Sequence, residues 1–207
     1  MNNNLSEMFV EKEFSQEAKN NLNDKEYMLN YFLSVKAWKD ATLRERFQGK
    51  KSNIINNKTV IVDFLKKEIT ENNEKICKDF DAWHNGICKN TIYGEKYGFW
   101  QKYVNMTFKY MYCRKGLFPE FDGVWAKCHC PIDSIIAEQL YNILVTMNYP
   151  KDELVLSKSI SRSGSVNWNN INEEQYKKFQ SQVNEFCKKE KITPLEFDFK
   201  YWAKINK

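Results

Sequence analysis

A chain of 207 residues that carries only seven glycines and four prolines has few places to reverse direction tightly. A sandwich or barrel needs a turn signal about every ten residues, whereas helices need far fewer. The apolar residues agree. Met28, Phe32, Val35 and Trp38 recur at steps of three and four, as do Ile61, Phe64, Leu65 and Ile69. Ile136, Leu140, Leu144 and Met147 form a third such set, and Tyr176, Phe179, Val183 and Phe186 a fourth. That spacing is one face of an α-helix. The segment FWQKYVNMTFKYMYC (99–113) is apolar almost all round and also reads as a helix. The fold class is therefore all-α, a bundle of roughly seven to nine helices if each runs near the mean helix length.

A composition of 42% hydrophobic and 15% aromatic residues supplies a core and excludes a disordered chain. No fixed-period repeat or low-complexity linker marks a boundary, so residues 1–207 read as one domain. The Asn-rich stretch 1–23 reads as an irregular arm, and Lys39 to Lys58 as a basic polar connection. One long amphipathic helix is expected from Thr59 to Phe80, with Gly86, Gly94 and Gly98 marking turns after it. A loop is expected around Gly116, Pro119, Gly123 and Pro131, and a connection at SRSGSVNW. Two later starts are well signalled. Asn172 and Gln175 form a capping box with Ile171 and Tyr176 as staple, and Thr193-Pro194-Leu195-Glu196 opens a last helix anchored by Leu195, Phe199 and Trp202.

No apolar run approaches the ~18 residues of a membrane span. The start, MNNNLSEMFVEKEF, lacks a basic segment followed by an apolar one. A cytoplasmic protein with reduced thiols at its six cysteines is expected, without a membrane partner. Cys128-His129-Cys130 has the soft donors that zinc prefers, but adjacent residues wrap one ion poorly and no C-x-x-C pair exists; no metal or other cofactor is expected. The formal charge of +5 permits a nucleic-acid partner without requiring one.

There is no G-x-S-x-G, P-loop, G-x-G-x-x-G or H-E-x-x-H, and only two histidines exist, His84 and His129. What remains is Lys102, between Trp100, Tyr103 and Met106, and Asp133 in HCPIDSII, an N-cap for the helix 133–147. Burial among apolar groups disfavours an ammonium and yields a nucleophilic amine. Helix-terminal N–H groups hold a capping carboxylate ionised. An amine beside an anion suits attack at a sugar C1′, where the carboxylate steadies positive charge on the ring. The plainer alternative is a surface lysine and an ordinary cap.

The segment 85–147 resembles the helix-hairpin-helix DNA glycosylases. Tyr93-Gly94-Glu95-Lys96-Tyr97-Gly98 corresponds to the hairpin, Lys102 to the Schiff-base lysine and Cys130-Pro131-Ile132-Asp133 to the aspartate motif. The separation of 31 positions from Lys102 to Asp133, and a second lysine one heptad on at Lys109, resemble the archaeal 8-oxoguanine DNA glycosylase branch. The resemblance implies a monomeric glycosylase/β-lyase acting on double-stranded DNA with a modified purine, with no iron–sulfur cluster. It implies DNA contacts at Gly94, Gly98, Lys96 and Lys109. A base pocket would draw on Trp100, Gln101, Asn105, Trp125, His129, Trp168 and Trp202, with Asn167 a further candidate and Lys89, Lys127 and Lys158 near phosphates. Two other readings stay open: a non-catalytic nucleic-acid or nucleotide binding module on the same scaffold, and a helical interaction protein of phage defence or mobile elements.

Overall fold

A computed structural model describes residues 3–47, 53–90, 96–150 and 168–205, and these residues are mainly helical with no strand among them. The helical segments are α1 (Asn3–Glu13), α2 (Gln16–Asn20), α3 (Lys25–Tyr31), α4 (Trp38–Phe47), α5 (Asn53–Asn56), α6 (Lys58–Glu71), α7 (Asn73–Lys78) and α8 (Phe80–Cys88). Then come α9 (Tyr97–Cys113), α10 (Ser134–Thr146), α11 (Glu173–Glu190) and α12 (Pro194–Ile205). A π-helical stretch, Phe32–Ala37, joins α3 to α4 into one rod, so eleven helices stand among the described residues.

The count exceeds seven to nine because several stretches expected to be irregular are helical. Of the stretch expected as an arm, residues 3–23 are mostly helical: α1 and α2 fill most of them, and Phe9, Val10 and Phe14 are buried. Phe9 lies edge-on to Phe199 and Trp202, at 5.3 and 4.8 Å, so tertiary packing decides a segment whose own composition is polar. Lys39 to Phe47 continues α4 instead of opening a loop. The run expected as one helix from Thr59 is cut at Asn72 and Asp79, and Asp79 caps α8 by accepting from the Ala82 N–H. Gly86 lies inside α8 and Gly98 inside α9, so neither marks a turn. The 113–131 loop contains 3₁₀ turns at Lys115–Leu117 and Pro119–Phe121.

The later signals stand as read. Asn172 and Gln175 make both bonds of the capping box, and Thr193 and Glu196 exchange theirs at 3.2 and 2.8 Å.

Burial sorts the side chains into two apolar clusters. One gathers α1 to α9 with Leu195 and Phe199 of α12; the other gathers α10, α11 and the Phe197 and Tyr201 side of α12. α9 is enclosed on every side: all fifteen residues from Gly98 to Tyr112 are buried. A helix surrounded in this way should be apolar all round. Its five polar exceptions, Gln101, Lys102, Asn105, Thr107 and Lys109, therefore need partners from its neighbours.

Candidate active site on the central helix

Two of those exceptions are cations. Lys102 and Lys109 stand seven residues apart, two turns, and so share one face of α9. The Lys102 ammonium donates to Oδ2 of Asp133 at 3.1 Å. Asp133 is the N-cap of α10, and its Oδ1 accepts the Ile136 N–H at 2.8 Å. One oxygen thus fixes the helix start while the other meets the lysine. Burial pushes this carboxyl up, but the Lys102 charge, the Ile136 N–H and the Lys109 charge together hold it below the usual carboxylate range.

Lys109 pairs with Asp198 of α12, and both side chains are almost wholly out of water. The Phe9 and Phe199 ring centroids lie 4.5 and 5.2 Å from the Lys109 nitrogen. Burial works against charge on both partners. The Asp198 charge nonetheless raises Lys109 above its ordinary value, and we take the pair as ionised.

These groups line a cleft of about 500 Å³ at the seam between the two apolar clusters. Its walls are Phe9, Trp202 and Trp168, with Met106 and Ile135. The Trp168 ring centroid is 6.0 Å from the Lys102 nitrogen. Two further carboxylates line it. Glu13 accepts from Lys36 at 3.0 Å, and Asp40 accepts from the Tyr110 hydroxyl at 2.6 Å.

Of the residues singled out in the sequence, the structure brings Lys102, Asp133, Lys109, Trp168 and Trp202 to this cleft. The others lie elsewhere. Trp100 is two residues from Lys102, on nearly the opposite side of the helix, where it packs 5.6 Å from Phe64. Trp125 belongs to the core with Phe108 and Phe121, and its indole N–H reaches Asp122. Gln101 donates to the Gly98 carbonyl. Asn105 donates to the Tyr176 hydroxyl at 2.9 Å and bonds His84 Nε2 through its oxygen at 2.9 Å.

His129 joins that second group. Its Nδ1 lies 2.7 Å from the Tyr176 hydroxyl and its Nε2 2.7 Å from Asp81 Oδ1. Next to it, the Gln180 side chain of α11 holds both backbone groups of Cys130, accepting its N–H at 3.1 Å and donating to its C=O at 2.7 Å. The strand of chain that ends in Asp133 is thus pinned three residues upstream.

The expected DNA contacts fare differently. Lys109 is a buried partner of Asp198 rather than an exposed cation. Gly98 is a buried helical residue. Lys96 precedes α9 and donates to Asn170 Oδ1 at 2.9 Å. Gly94, Lys158 and Asn167 lie outside the described residues.

Cys128 and Cys130 are buried thiols pushed well up by desolvation. No cluster of three His, Cys, Asp or Glu side chains is arranged to hold a metal ion among the described residues. Nor is any helix there long and apolar enough to cross a membrane.

The sequence reading missed Asp198. Its signal was present in PLEFDFKYW, where an acid shares the apolar stripe of Leu195, Phe199 and Trp202. An acid on a buried stripe demands a cation, and the central helix supplies it.

Comparison of the chain with family models, with curated proteins and with solved structures yields no match.

Proposed function

We propose that the chain is a DNA N-glycosylase with β-lyase activity, acting on a modified purine in double-stranded DNA. The observation that carries this reading is the 3.1 Å Lys102–Asp133 pair, buried on the lysine side and opening on an aromatic-walled cleft. A flipped base needs a ring-lined hollow of this kind, and Phe9, Trp168 and Trp202 offer stacking surfaces. Carboxylate oxygens of Glu13 and Asp40 suit a base edge rich in N–H donors, as an 8-oxoguanine-like purine presents.

In the reaction, the Lys102 nitrogen gives up a proton and bonds to C1′. The glycosidic bond breaks, its electron pair leaves on the base nitrogen, and the base is protonated. Asp133 stays anionic and steadies the charge that builds on the sugar ring. Opening of the ring gives a protonated Schiff base. Loss of a C2′ proton then breaks the C3′–O bond, with the phosphate as leaving group. In this reading the enzyme works as a monomer in the cytoplasm.

Borohydride trapping on lesion-bearing and abasic duplexes tests the proposal. A covalent protein–DNA adduct is expected with the native chain and none with Lys102→Gln. A native chain that never crosslinks, even to abasic DNA, overturns the lyase chemistry. Salt-sensitive DNA binding indifferent to Lys102 and Asp133 would then favour the binding-module alternative.

A further inference from the structure

A second cleft, of about 570 Å³, opens between α8 and α11. It takes no part in the chemistry above. Its floor is a set of rings. His84 and Tyr176 stack at 5.4 Å with an interplanar angle of 8°, and Tyr97 and His129 close on Tyr176 at 5.5 and 5.6 Å. Its other wall is α11, which presents Ser181 and Asn184, with Asn85 of α8 opposite. The cleft shares Asp81, His129, Asn184 and Lys188 with an adjoining hollow of about 320 Å³, so the two are continuous.

The hollow has a different character. Lys78, Lys127 and Lys188 line it. None of the three makes an ion pair among the described residues, whereas the neighbouring acids are engaged. Asp79 caps α8, Asp81 meets His129, and Glu185 pairs with Lys189. Asp79 and Asp81 line it as well, so three cations stand against two anions, and the excess positive charge favours an anion seated on the lysine side. Rings with amides beside them accept a planar heterocycle with polar edges. A plain anion would leave the ring-floored part empty, and an apolar molecule would strand the Asn and Ser side chains. The combined volume falls within the ~300–1,000 Å³ of small-ligand sites.

We propose that this cleft binds a nucleotide, with the heterocycle against the Tyr97, Tyr176 and His129 rings and the phosphate among Lys78, Lys127 and Lys188. The chemistry is that of a nucleoside monophosphate, whether free or at the 5′-phosphorylated end of a strand.

Titration calorimetry on the full chain tests it, with adenosine and guanosine 5′-monophosphates, the two nucleosides, ribose 5-phosphate and inorganic phosphate as probes. At least one monophosphate should bind about tenfold or more tightly than its nucleoside and than ribose 5-phosphate, since stacking and charge each contribute. Lys127→Ala with Lys188→Ala should weaken the monophosphate about tenfold and leave the nucleoside unchanged. Tyr97→Leu should weaken both. Because these side chains are exposed or half-buried, a circular dichroism melt close to that of the native chain checks that each variant folds.

Two short single strands, one carrying a 5′-phosphate and one a 5′-hydroxyl, separate the sources. Preference for the phosphorylated strand over the monophosphate assigns the site to a strand end, and the reverse assigns it to a free nucleotide. Inorganic phosphate binding as tightly as every monophosphate overturns the proposal, and so does no binding of any probe at millimolar concentration. The Lys102→Gln protein should bind the nucleotide as the native chain does, so this site stands or falls apart from the lyase reading.

Discussion

Lys109 and Asp198 form the most enclosed ion pair of the molecule's described residues, with side-chain exposures of 3% and 2%. Removing one partner leaves the other charge in a site walled by Phe9 and Phe199. Breaking such a pair costs about 3–5 kcal/mol, most of it the penalty of the stranded charge. Asp198→Asn and Lys109→Met should each lose that amount. In a chain of this length a loss of 1 kcal/mol lowers the melting temperature by roughly 2–4 °C, so each single variant should melt roughly 6–20 °C below the native protein. The double variant Lys109→Met/Asp198→Leu removes both charges and retains apolar volume. It should recover most of the loss, because the paired charges return little net energy over an apolar replacement. The assay is thermal unfolding followed by circular dichroism, completed as a double-mutant cycle. Single variants that melt within about 2 °C of the native chain would refute the reasoning, since they would mean that water reaches the pair. The same cycle bears on Lys109 as a phosphate contact, for a lysine that touched only DNA would leave stability untouched.

Further expectations follow from the same geometry. Asp133 is held below its ordinary value in the folded state, so its share of stability is full above about pH 4 and is lost as the pH falls through its folded value. Asp133→Asn should flatten the acid limb of a pH–melting curve; an unchanged limb would place the titration elsewhere. Glu173, held down to about 2 by Lys177 and Lys89, acts in the same sense on the surface, and high salt should weaken its contribution. Gln180→Leu strands the N–H and C=O of Cys130 and should destabilise by about 2 kcal/mol. It should also slow borohydride trapping more than it weakens duplex binding, which kinetic trapping beside an affinity titration will separate. Cys88, Cys128 and Cys130 are buried, with thiols pushed up by desolvation. They should resist iodoacetamide at neutral pH in the native state and react after unfolding, as read by mass spectrometry; rapid native labelling of Cys128 would contradict its burial.

Local chemistry was legible in the sequence wherever it sufficed to fix the backbone. Asn172 with Gln175, and Thr193 with Glu196, are caps whose partners lie three residues away, so a short window contains the whole interaction. Asp133 as an N-cap is of the same kind. The meeting of Lys102 and Asp133 was legible only as a chemical requirement, because 31 residues separate them. What stayed hidden depended on partners distant in sequence. The polar look of residues 1–23 conceals Phe9, whose neighbours Tyr110, Phe199 and Trp202 come from two helices far along the chain. The face taken by Trp100 followed from the angle between positions 100 and 102, which residue type alone does not convey. Lys109 looked like a surface cation because its acid stands 89 positions away.

The π stretch at Phe32–Ala37 sets the azimuth of everything that follows it in that rod. It lets Leu29, Phe32 and Leu33 face the core on one side of the wide turn and Ala37, Trp38 and Ala41 on the other, while the Tyr103 hydroxyl donates to the Leu33 carbonyl inside it. Winding the same residues as an ordinary α-helix, with none removed, would swing Trp38 and Asp40 by about 100°. Asp40 would leave Tyr110, and one border of the Lys102 hollow would be gone. A wide turn of this kind absorbs one residue, so a single-codon deletion within it leaves the faces before and after it in register, whereas the same deletion elsewhere in the rod would rotate Asp40 off Tyr110.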